Sequence, residues 1–128
     1  MLEHNYKLKL DFHIFSLCRV NKINYSFTKT EPCCVFYKHK ANQDITLECL
    51  FLYIKTESDY FTNLHEIGHA LTHNVNGFHS FDRYMQNEIV EWDIARKLSI
   101  IPTSTEIDNF ITNCLLLHEN YAKIKYWS

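Results

Sequence analysis

Apolar and polar positions change rhythm several times along the chain, and each change marks an element. Near the N-terminus, Tyr6, Leu8, Leu10 and Phe12 alternate with polar residues as in a strand, whereas Ile14, Phe15, Leu17, Cys18 and Val20 share one helical face. The balance favours a helix over about residues 11 to 20. Glu31-Pro32 then breaks the chain, because proline drives the residue before it into extended conformation. Two runs rich in β-branched and aromatic residues follow, 34–38 and 46–54, and they read as strands joined by a turn at Ala41-Asn42-Gln43-Asp44.

Beyond residue 56 the period becomes helical. Phe61, Leu64, Ile67, Ala70 and Leu71 form one stripe, with Ser58 or Thr56 as the cap and Asn76-Gly77 as a left-handed stop. A second helix is predicted over residues 80 to 99, capped by Ser80, with Phe81, Tyr84, Met85, Ile89, Trp92 and Ala95 as its apolar stripe and Pro102 beyond its end. A third begins at Ser104 or Thr105, where Thr105 and Asp108 have capping-box spacing, and carries Ile107, Phe110, Ile111, Cys114, Leu115, His118 and Tyr121 on one side. The expected class is α+β: a small sheet packed on the first of these helices, the second helix beside it, and an additional C-terminal helix. Nothing resembles a repeat or a linker, so residues 1–128 are expected to form a single domain.

Composition narrows the choice of function. The chain is 46% hydrophobic and 15% aromatic, which excludes a disordered segment. A formal net charge of -2, with scattered lysines, provides no field for nucleic acid, so direct nucleic-acid binding is not expected. Glu3, Lys7, Lys9 and Asp11 interrupt any secretory core, and the longest apolar run, Cys49 to Ile54, is too short for a bilayer. A soluble, cytoplasmic protein without membrane attachment is the expectation. Cys18, Cys33, Cys34, Cys49 and Cys114 are odd in number and lack CxxC spacing, so they read as reduced and mostly buried.

The candidate chemistry lies in the first of the three helices. His65-Glu66-Ile67-Gly68-His69 is an HExxH pentapeptide, and a shuffled chain of this composition would contain one only roughly 3 times in 100. On a helix, side chains four residues apart lie on one face, so both imidazoles can hold one Zn²⁺ while Glu66 turns toward a water. Catalytic zinc takes three protein ligands, and a third is needed. The metzincin pattern fails, since Thr72 and Val75 stand where it requires Gly and His. Glu88 and Glu91 remain. At about 100° per residue, Glu88 falls near the middle of the second helix's stripe and Glu91 about 60° off it. A carboxylate centred on an apolar stripe is costly unless paired or metal-bound, so Glu88 is the expected third ligand.

His65-Glu66-Ile67-Gly68-His69-Ala70-Leu71, followed by Glu88-xxx-Trp92-xx-Ala95-xx-Leu98 and Pro102, resembles the small ImmA/IrrE-type metallopeptidases of bacteria, phages and mobile elements. Their pattern is HELGHxL, then ExxxN/DxxAxxLL and a proline, and the resemblance covers roughly residues 46 to 102. Trp92 departs from it, standing where Asn or Asp often partners the ligands, with Asp93 one residue later; Glu91 replaces the usual Ala. The resemblance implies a minimal zincin-like domain and cytosolic proteolysis of a regulator protein, typically a DNA-bound transcriptional repressor.

The expected machinery is Zn²⁺ held by His65, His69 and Glu88, with Glu66 as general base. His73, His79, Tyr84, His118 and Tyr121 are candidate donors to a developing oxyanion. Of these, His73 reads more simply as a surface or supporting histidine and His118 as a hydrogen-bonded core histidine. Cys33-Cys34 has no evident catalytic partner. A second function class stays open: a non-catalytic protein that keeps the zincin scaffold for binding, as one member of a regulatory or mobile-element pair. Retention of Glu66 favours catalysis, because a purely structural zinc site has no use for a base.

Overall fold

A computed structural model describes residues 2–38, 45–72 and 80–127. The first element is a helix, α1, over His4–Val20. It starts earlier than the expected residue 11, because the helical stripe that decides it is Leu10, Ile14 and Cys18, spaced by four and buried. The strand-like alternation from Tyr6 to Phe12 is overridden by that stripe, and Glu3 caps the helix by accepting from the Asn5 N–H.

Lys22, at φ 56°, turns the chain out of α1 into a strand that the sequence reading did not anticipate, β1, Ile23–Thr28. β2 spans Cys33–Lys38 and β3 Ile45–Leu52. The proposed turn at 41–44 lies outside the described residues. The sheet order is β1-β3-β2, with β1 parallel and β2 antiparallel to the central β3, whose Cys49 and Phe51 are fully buried. Phe15, Tyr25, Phe27 and Phe51 cluster in edge and stacked contacts that join α1 to the sheet.

α2, Glu57–Thr72, packs against α1, β2, β3 and two further helices. Thr56 caps it: its Oγ1 accepts from the Asp59 N–H while Asp59 Oδ2 accepts from Thr56 N–H, a reciprocal box. The Asn76-Gly77 stop lies outside the described residues. Asn63, buried on α2, accepts from Leu52 N–H at 2.8 Å and donates to Leu52 O at 2.9 Å, which ties the helix to the end of β3 beyond its last pairing with β2.

α3, Phe81–Leu98, is capped by Ser80, whose Oγ accepts from Arg83 N–H. α4 spans Thr105–Trp127, and its cap is Ser104 rather than Thr105, since Ser104 Oγ accepts from Ile107 N–H. Buried residues from α1, β1, β3, α2, α3 and α4 form one hydrophobic cluster. The molecule is α+β, four helices with a small mixed sheet. Among the described residues no helix is long and apolar enough to cross a membrane.

Gly68 sets how closely α2 and α3 approach. A Cβ there would lie 3.1 Å from the Glu91 carbonyl oxygen and 3.5 Å from the Glu91 Cα. Alanine gains about 1 kcal/mol in a helix, but overpacking against backbone costs typically about 1–3 kcal/mol. Gly68→Ala should therefore lower the melting temperature, and a higher one would show that α3 can yield at this contact.

Candidate metal centre

The close approach of α2 and α3 brings four side chains together. His65 and His69, one turn apart, have ring centroids 4.6 Å apart. The Glu88 carboxylate reaches both: Oε2 lies 2.9 Å from His65 Nε2 and Oε1 3.6 Å from His69 Nε2. Glu91 Oε2 is 2.6 Å from the other nitrogen of His69, Nδ1. One ligand atom from each of the four residues can be chosen so that all lie within 4.8 Å of one another.

Glu91 is where the helical-face reading needs correction, because it is as inward as Glu88 and fully buried. Ile89, counted in the stripe, is instead exposed. The buried face of α3 is Glu88, Glu91, Trp92 and Ala95, so counting Ile89 had rotated its centre away from Glu91. The two carboxylates then have distinct places: Glu88 faces the Nε2 atoms of both rings, and Glu91 holds the far side of one ring.

The local charges compensate one another. Burial alone would depress His65, but the nearby Glu66 carboxylate and the hydrogen bond to Glu88 outweigh that and raise it. His69 is likewise opposed by burial yet pulled up to about 9 by its hydrogen bond to Glu91 and by the surrounding carboxylates. Burial would raise Glu88, but His65 and the other histidines hold it below the usual carboxylate range. Burial keeps Glu91 raised despite His69. The shared proton of that pair belongs on His69 Nδ1, which leaves Nε2 as the position available to a metal.

The donor set fits zinc. Bonds of about 2.0–2.1 Å in a tetrahedron put ligand atoms about 3.3 Å apart, and the two Nε2-to-Glu88 distances fall on either side of that value. Two imidazoles and a carboxylate also match zinc's usual ligands. Glu91 Oε1 is buried without a hydrogen-bond partner among the described residues. Exchange of Glu91 for alanine removes the group that fixes the His69 tautomer. Its zinc affinity should fall roughly 10–100-fold, with the fold retained by circular dichroism; unchanged affinity in a chelator competition would deny Glu91 that role.

The remaining residues surround this set. Glu66, with its side chain 10% exposed, places Oε1 3.7 Å from His65 Nδ1 and is not one of the four converging residues. Its backbone oxygen accepts from the Cys49 thiol at 3.9 Å. Trp92 stacks on His65 with ring centroids 4.2 Å apart, filling with an aromatic face the place where the resemblance expects Asn or Asp. Asp93 points away and pairs with Arg96 on the surface. His118 belongs to the site rather than to the core alone: its Nε2 is 3.4 Å from Glu88 Oε2 and its Nδ1 2.9 Å from the Tyr84 hydroxyl. Tyr121 is half exposed beside Tyr84, and His73 and His79 lie outside the described residues. The cysteines are free thiols; Cys18 and Cys49 are buried, Cys34 and Cys114 partly so, and Cys33, against expectation, is exposed on the edge strand β2.

No family model matches the chain, and neither the curated proteins nor the solved structures contain a significant match.

Proposed function

We propose that this chain is a zinc-dependent peptidase of minimal zincin-like architecture, with Zn²⁺ held by His65, His69 and Glu88 and with Glu66 as its general base. The observation that carries the reading is the single Glu88 carboxylate meeting the Nε2 atoms of both HExxH histidines, at 2.9 and 3.6 Å. Zinc held there supplies Lewis acidity, polarising a scissile carbonyl and lowering the pKa of a water toward about 7. Glu91 keeps His69 in the required tautomer, and Trp92 covers the face of His65 against solvent. Glu66 takes the proton of the attacking water and delivers it to the leaving amine.

In this reading the substrate is a cytosolic regulator protein, with a transcriptional repressor as the candidate that the ImmA/IrrE resemblance suggests. The chain acts in the cytoplasm on protein rather than on nucleic acid. The test is metal analysis of the purified protein together with cleavage of a regulator encoded near it. About one zinc per chain and cleavage abolished by a chelator and restored by zinc are expected; a protein without zinc after loading and dialysis would refute the reading. The alternative, a non-catalytic scaffold that binds such a regulator, draws on the exposed apolar residues Leu116, Leu117, Ile124 and Trp127 along α4.

A further inference from the structure

α4 brings His118 to the candidate metal centre, and that contact suggests a function of its own. His118 lies between two polar groups of α3. Its Nε2 is 3.4 Å from Glu88 Oε2, the same oxygen that faces His65 Nε2, and its Nδ1 is 2.9 Å from the Tyr84 hydroxyl. Tyr84 and Glu88 are four residues apart on one face of α3, so a ring between them bridges consecutive turns. We propose that His118, held by Tyr84, is a positioning residue that fixes the Glu88 carboxylate toward the two HExxH imidazoles.

The inference rests on the zinc reading above and follows from hydrogen-bond inventory. Without metal, His65 Nε2 can donate to Glu88. A metal takes the lone pair of that nitrogen, so His65 loses the proton with which it held the carboxylate. His118 Nε2 is then the histidine N–H still facing Glu88, and the neutral ring can offer it only if Nδ1 acts as the acceptor. A phenol hydroxyl at 2.9 Å supplies the donor that this tautomer needs. Burial pushes the Tyr84 phenol upward, so it keeps its proton at neutral pH. The result is a chain from Tyr84 through His118 to Glu88, matching on the carboxylate side what Glu91 does for His69.

The test uses the full chain in three measurements. Zinc affinity by chelator competition should weaken roughly 10–100-fold in His118→Phe, which keeps a ring but has no donor, and stay near wild type in His118→Gln, whose amide can present an N–H at the same reach. Tyr84→Phe should weaken it too, and the double variant Tyr84→Phe/His118→Phe should be no worse than His118→Phe alone, because Tyr84 acts through His118. In the metal-free protein, nitrogen-proton correlation NMR of the histidine rings should find His118 protonated on Nε2. Wild-type affinity in His118→Phe, additive effects of the two variants, or an Nδ1-protonated His118 would each overturn the proposal. So would zinc lost from His118→Phe but retained in Glu88→Ala, which would make His118 a ligand. A wild type that binds no zinc refutes the peptidase reading instead, and the tautomer then decides the role of His118 by itself.

Discussion

If the zinc reading holds, Glu88→Ala is expected to leave the purified protein with little zinc, where the wild type is expected to carry about one per chain. Glu88 is the side chain that faces the Nε2 atoms of both histidines, and it brings the negative charge that two neutral imidazoles lack. Its loss should cost more than the roughly 10–100-fold expected for a group that only orients a ligand, so occupancy after dialysis separates Glu88→Ala from Glu91→Ala. His69→Ala should behave like Glu88→Ala. Both substitutions leave buried partners unpaired, so circular dichroism must show that the helices persist before the metal content is read. Full retention in Glu88→Ala, with loss in Glu91→Ala, would make Glu91 the third ligand and exchange the roles given to the two carboxylates.

Glu66→Gln should separate binding from chemistry. The amide is nearly isosteric and Glu66 is not among the four residues whose ligand atoms converge, so zinc content and fold should be unchanged. The amide cannot accept the proton of the attacking water, so cleavage of the regulator should slow roughly 10²-fold or more. Equal rates in wild type and Glu66→Gln would remove Glu66 from the base role. If neither protein cleaves the regulator and both bind it, the interaction-scaffold reading gains and the apolar side of α4 becomes the surface to probe.

The reach of the sequence differs from element to element. Helices α2, α3 and α4 were legible because each has a long 3.6-residue stripe and a capping residue, and the starts of all three and the end of α3 fall within a few residues of those expected. β1 also carried its signal, Ile23, Tyr25 and Phe27 alternating with Asn24, Ser26 and Thr28, but six residues beside a helix of uncertain extent are a short pattern to weigh. At α1 two periods overlapped over the same residues, and only packing of Leu10, Ile14 and Cys18 into the shared cluster selects the helix.

By itself the sequence determined the α+β class and the pairing of His65 with His69, because a spacing of four on a helix places two rings on one face whatever surrounds them. It also narrowed the partner carboxylate to α3. Which way α3 is turned was a matter for tertiary structure: its buried face is set by the approach of α2 at Gly68 and by α4 on its flank, so Ile89 could be left outside and Glu91 drawn in. The same holds for His118 and Tyr84, separated by 34 residues and hydrogen-bonded across two helices. Periodicity assigns a side chain to a face of its own helix, but which faces meet depends on the packing of all the elements at once, and that packing decided the surroundings of the candidate centre.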